Sequence, residues 1–264
     1  MDGFMAEIRK IPPVTRFLCA SSLAMTVPVL MQIMSPYKLL FSKPLVVKRL
    51  EIWRLYTSFF LGGSGINYLF EFIMLYRTSD QLESGPYVRR SADYAWQLLV
   101  ACAGIIATSM PLGSALHARP LLVCITYLSS ALAPPGAMSS MFGLFTFPVA
   151  YMPYIMVGMD LLMAGPGAAA QAAAGAVVGH LWWWGIFGSA AGGQGGVLEA
   201  YGRAPGWMRW LVGENGPPPP TGAGANAGEA GGVHVIPPRR AAAASGSSSG
   251  TGYNWGSGQR LGSG

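Results

Sequence analysis

The strongest constraint on this chain is where its charges are absent. Long apolar runs follow one another from Phe17 to Phe187, and Lys, Arg, Asp and Glu gather mostly at their ends. Of 264 residues, 52% are hydrophobic and only 11% are charged. A soluble domain carries roughly 25% charged residues. So few charges cannot cover a water-facing surface, so lipid is the expected solvent for most of this one. A spanning helix needs about 20 mostly apolar residues, and the apolar length here allows five or six.

The net charge of +6 would suggest nucleic acid in a soluble protein. Here the basic residues sit at the ends of apolar runs, where Lys and Arg anchor helices to headgroups, and no nucleic-acid partner is expected. Cys19, Cys102 and Cys124 each lie inside an apolar run, with no CxxC spacing and no His pair. They read as small buried hydrophobes, so neither a metal nor a cofactor is expected. Residues 1–13 carry Asp2, Glu7, Arg9 and Lys10 and no small-residue cleavage site, so the first span is expected to remain as an anchor.

The runs cover about 17–35, 55–76, 94–112, 121–133, 138–163 and 168–187. A mixed, basic stretch, 36–54, is too polar to span and is expected to lie along the membrane interface. The fourth run has about 13 residues, roughly 20 Å of helix, and must thin the bilayer or borrow its flanks. Pro28, Pro148 and Pro153 are tolerable in packed membrane helices. The expected division is an N-terminal segment, 1–16; a membrane domain, 17–188; a juxtamembrane segment, 189–212; a Pro-, Gly-, Ala- and Ser-rich linker, 213–252; and a terminal motif, 253–264. The linker cannot bury enough surface to offset chain entropy and is expected to be disordered.

Orientation follows from counting cations. With six spans, one side receives Arg9, Lys10, Arg16, Arg77, Arg89, Arg90, Arg203 and Arg209. The other receives Lys38, Lys43, Lys48, Arg49, Arg54 and Arg119. Eight against six favours cytosolic termini.

Three groups of residues stand out. Trp53-Arg54 sits at a helix entrance, where such a pair commonly serves as an interface anchor. Gly175-Ala176-Val177-Val178-Gly179 is a GxxxG that lets another backbone approach closely. His180 follows at once, and an ionisable residue within a span is a functional candidate; the alternative is a His bonded to a neighbouring helix. Glu71 and Asp160 are acidic residues in or near spans, and nothing in the sequence pairs them.

Together with the loop Tyr76–Gly85, Ala92-Asp93-Tyr94 and the ending Trp255-Gly256-Ser257-Gly258-Gln259-Arg260-Leu261-Gly262, these marks resemble the derlin family. The resemblance covers roughly 1–212 and the last ten residues; about 112–165 matches only in hydropathy. It implies an all-α membrane protein: a six-helix rhomboid-like bundle in the endoplasmic reticulum membrane, with cytosolic termini and a disordered tail. It implies a role in degradation of misfolded proteins, beside a membrane ubiquitin ligase, with a lateral gate and a locally thinned bilayer. Trp255, Gly256, Gly258, Arg260, Leu261 and Gly262 look like the family's SHP box, which docks the AAA ATPase valosin-containing protein.

The rhomboid relationship raises an enzymatic reading. A serine protease needs a Ser beside a His that takes its proton. Rhomboids carry that Ser in Gly-x-Ser-Gly at the fourth span. This chain has none there: Ser139-Ser140 lacks the glycines and Gly63-Ser64-Gly65 is in the second run. His180 also follows the second Gly, where the rhomboid His precedes the glycines. No catalytic residue is therefore expected. A transporter would need paired charged or broken-helix sites, and a lipid-shaping scaffold would have no use for an ATPase-docking tail; these are the alternative readings.

Overall fold

The computed structural model describes residues 10–63, 65–141, 145–188 and 196–214. These residues all belong to one unit, Met1–Ala223. The remainder, Gly224–Gly264, lies outside the described residues, as does almost all of the linker expected over 213–252.

The architecture is predominantly helical. The described α-helices are α1 (Pro13–Leu30), α2 (Lys43–Arg49), α3 (Trp53–Phe60), α4 (Ile66–Ser84), α5 (Ser91–Ser109), α6 (Ala118–Ala131), α7 (Met152–Ala164), α8 (Pro166–Phe187) and α9 (Gly206–Val212). A short antiparallel hairpin, β1 (Met138–Met141) with β2 (Phe145–Pro148), precedes α7; its register pairs Met138 with Pro148 and Ser140 with Thr146.

Two apolar runs are divided differently from the sequence reading. The run 55–76 is not one helix: α3 ends at Phe60, and α4 starts after Gly65, whose φ of 63° favours glycine. The run 138–163 yields a helix only from Met152. Pro148 has no amide to donate and closes β2, whereas Pro153 sits in the first turn of α7, where a missing donor costs nothing.

Among the described helices, α1 alone combines the length and apolarity to cross a membrane, with a mean hydropathy of 1.3. Helix α4 carries Glu71, Arg77, Asp80 and Glu83, and α6 and α7 have only 14 and 13 residues. At 1.5 Å per residue these two are about 20 Å long, against a hydrocarbon core of about 30 Å.

The core is built around α6. Leu121, Cys124, Ile125 and Leu128 meet Leu18 of α1, Tyr94 and Ile105 of α5 and Trp182 of α8, all buried. On the other side, Leu122 and Val123 join Met74 of α4 and Met152 and Met156 of α7. Every long helix therefore has α6 as a neighbour or shares its core.

At one end, a buried carboxylate anchors α1. Glu83, near the end of α4, accepts the backbone N–H of Val14 at 3.0 Å, the N–H of Thr15 at 2.7 Å and the Thr15 hydroxyl at 2.8 Å. The first amides of a helix lack internal partners and carry the positive end of its dipole, so an anion there is favourable. Ser79 extends the network, with hydroxyl contacts of 3.0 Å to Thr15 and 3.1 Å to Tyr94.

Replacing Glu83 by Gln keeps the shape but removes the charge facing those donors. A loss of roughly 1–3 kcal/mol is expected for buried charge-assisted bonds, measured as a lower thermal unfolding midpoint in detergent. Ser84→Ala, one residue along at the exposed helix end, should leave the midpoint unchanged.

Candidate functional site

The stretch 31–52 folds back onto the bundle because Arg54 holds it there. From the first turn of α3, Arg54 donates through Nη1 to the carbonyls of Tyr37 and Leu40, both at 2.9 Å, and pairs through Nε with Glu51. Thr57 donates to the Leu39 carbonyl at 2.9 Å. The two residues of the Trp53-Arg54 pair part company: Arg54 is buried and ties down the loop, whereas Trp53 is exposed.

His117 closes the same end of the bundle. Its N–H donates to the Ser58 carbonyl at 2.9 Å, and its Nδ1 lies 3.1 Å from the Ser58 hydroxyl. The rings of Phe41 and Phe59 flank it at 5.2 and 5.3 Å. Burial among these groups disfavours the charged ring and pushes its pKa down to about 4. Its surroundings come from residues about 60–75 positions away along the chain.

Gly175 and Gly179 face α6. A β-carbon on Gly175 would sit 2.1 Å from the Pro120 carbonyl oxygen, and one on Gly179 would sit 2.8 Å from that of Cys124 and 2.9 Å from Tyr127 Cβ. The two backbones are thus in direct contact, and this is the most extensive helix pairing in the fold. His180 lies on the exposed side of α8. Its Nδ1 is 2.7 Å from the Tyr127 hydroxyl, and its ring contacts Trp183. It bridges α8 to α6, with Tyr127 as its hydrogen-bond partner among the described residues.

Glu71 and Asp160 find the partner that the sequence did not reveal. Arg119, in the first turn of α6, grips Asp160 of α7 in fork geometry, with Nε at 3.0 and 2.9 Å and Nη2 at 2.7 Å. Its Nη1 reaches Glu71 of α4 at 3.5 Å, and Glu71 in turn accepts the Gly63 N–H at 3.1 Å. One guanidinium thus spans three helices that are far apart in sequence. Direct packing between α4 and α7 is sparse; both lean on α6. The gap between them is a cleft lined by Met74, Arg77, Thr78 and Gln81 of α4, Thr126 and Ser129 of α6, and Val149 and Met152. It is about 20 Å³, room for roughly one water. Polar groups line it beside Met74, Val149 and Met152, and Ser129 is bonded to Gln81 at 3.4 Å.

These features define a helical bundle whose seam between α4 and α7 is held by one arginine. A model of the Der1-like family matches residues 11–195. Derlin-1.2 of Zea mays is 27% identical over 179 residues, covering 67% of this chain and 72% of the relative. Derlin-1 of Arabidopsis thaliana is 30% identical over 176 residues, covering 66% and 65%. An uncharacterised derlin-like protein of Schizosaccharomyces pombe is 31% identical over 160 residues, covering 60% and 70%. The chain belongs to the Der1-like family, a family of rhomboid-like pseudoproteases. The match ends before the terminal motif, and Trp255, Gly256, Gly258, Arg260, Leu261 and Gly262 lie outside the described residues.

Two outcomes follow from this geometry. Gly175→Ala should destabilise more than Gly179→Ala, both by about 1–3 kcal/mol through forced separation of backbones. Gly158→Ala on α7, with nothing within 4 Å of the new methyl, serves as the control. Because the folded pKa of His117 lies below its ordinary 6.5, the folded state requires the neutral ring. Its contribution is complete above about 6.5 and is lost as the pH falls towards about 4. Unfolding midpoints of the wild type and His117→Asn, measured across that range, should converge as the solution is acidified.

Proposed function

We propose that this chain is a derlin-type component of endoplasmic-reticulum-associated degradation that passes misfolded proteins across or out of the membrane. In this reading the six long helices α1, α4, α5, α6, α7 and α8 cross the bilayer, with both termini in the cytosol. Clients engage the seam between α4 and α7. The single observation that carries the proposal is that cleft: two helices hardly packed on one another, polar groups in the lining, and one ion cluster bridging the gap. At about 20 Å³ it is closed to a polypeptide. Passage therefore requires α4 and α7 to separate. The short α6 and α7 favour local thinning of the bilayer, which lowers the barrier for polar segments.

The final residues extend the proposal to partners. Trp255 and Leu261 supply apolar anchors, Gly256, Gly258 and Gly262 let the backbone lie close to its partner, and Arg260 adds a charge. As an SHP box they would recruit the AAA ATPase valosin-containing protein beside a membrane ubiquitin ligase complex. Some 40 residues between bundle and motif would reach roughly 30–40 Å as a random coil, and tethering raises the local concentration of a weakly bound partner. No hydrolytic step belongs to this reading, and His180 has a packing role in it.

Cysteines placed at Met74 and Met152 and joined by a short reducible crosslinker should halt client turnover, and reduction should restore it. Turnover that continues with the seam locked would rule out client passage there. A peptide covering Tyr253–Gly264 should bind the purified ATPase, and a Trp255→Ala, Leu261→Ala version should not. Equal binding by both would remove the motif from the proposal.

A further inference from the structure

The segment 196–214 lies beyond the range matched by the family model, yet it is bolted firmly to the bundle. The Ala204 N–H donates to Asp93 at 2.7 Å, Gln97 donates to the Gly202 carbonyl at 2.8 Å, and Trp96 donates to the Tyr201 carbonyl at 3.0 Å. The Ser91 N–H donates to Glu214 at 2.6 Å, so both ends of α9 are held at the start of α5. Helix α9 turns Met208 inwards, where it is buried against Ala92 and Ala204.

The other side of α9 is apolar as well. Trp207, Trp210 and Leu211 stand at i, i+3 and i+4 and so share one face, and they are 56%, 73% and 67% exposed. A rigid segment has thus been built to hold three large apolar side chains outwards. The exposed face does not stand alone. Trp207 meets Trp96 edge to face at 6.2 Å, and Trp96 leads into the exposed stripe of α5 formed by Leu99 and Val100. In the membrane reading above, that stripe faces lipid. The face of α9 continues it past the helix entrance, to the depth at which Trp residues gather. Arg209, in the last turn of α9, matches anionic headgroups in charge.

We propose that residues 196–214 form an interfacial collar, which sets Trp207, Trp210 and Leu211 into the headgroup–acyl boundary of the leaflet at the α5 N-terminus. Its partner is the lipid surface. The inference rests on the membrane reading of the bundle, and its test separates the two.

Full-length protein carrying an environment-sensitive fluorophore on Leu211→Cys, or on Ala103→Cys in the exposed stripe of α5, is reconstituted into vesicles of phosphatidylcholine and phosphatidylserine. Brominated lipid is the quencher, and labelling of the unsubstituted chain gives the background. The expected result is quenching at 211 within about twofold of that at 103. With the probe moved to Tyr201→Cys, the triple change Trp207→Ser, Trp210→Ser, Leu211→Ser should cut quenching by roughly half or more. Quenching at 103 with none at 211 would overturn the collar, leave the membrane reading intact and point to a protein partner for that face. Quenching at neither position would overturn both.

Discussion

The packing of α8 against α6 is the contact on which the rest of this fold depends. At Gly175 and Gly179 the two backbones come so close that a single methyl group does not fit. In a membrane the hydrophobic effect does not drive helices together, because lipid tails are as apolar as leucine. Close van der Waals contact takes its place. Once α8 is seated on one side of α6, the opposite flanks of α6 are free to receive α1, α4, α5 and α7. The shortest of the long helices thus stand at the middle of the bundle, as α6, and at its looser edge, as α7.

Polar interactions then act at the ends of the helices, where they decide which elements are held and which can part. Glu83 binds the first amides of α1 and joins α1 to α4 and α5 through Ser79 and Tyr94. Arg54 and His117 fasten the stretch 31–52 to the opposite end. Each of these groups is buried and hydrogen-bonded. Arg119 differs, because it is partly exposed and its partners lie across a seam that has little packing of its own. Partly solvated ion pairs are worth less than buried ones once screening is counted. In the proposed function it is this seam, between α4 and α7, that opens.

A pseudoprotease has no nucleophile to position, and its histidine is free for packing. His180 bonds Tyr127 and lies against Trp183, joining α8 to α6 on the outer face of the GxxxG contact. The glycines and the histidine thus serve one helix pair. Trp53 and Arg54, adjacent in sequence, have separate surroundings: one faces outwards at a helix entrance, and the other is a clamp on the first loop.

The class of the protein was legible in its amino-acid sequence. Too few charges for a water-facing surface, glycines one turn apart and a short fourth run all act locally, through composition and spacing, and are legible without a structure. The sequence also marked Arg54, Gly175, Gly179 and His180 as residues of interest. The partition of the runs at 55–76 and 138–163 was less legible, since glycine and proline tolerate a helix in one setting and break it in another, and neighbours choose. The pairings emerge in three dimensions alone. Glu83 meets Val14 and Thr15 across nearly 70 residues, Arg119 meets Asp160 across 41 and Glu71 across 48, and His117 meets Ser58 across 59. A buried ion or imidazole takes its meaning from whatever donor or ring lies within about 3–5 Å, and that neighbour is set by how helices cross, not by position along the chain.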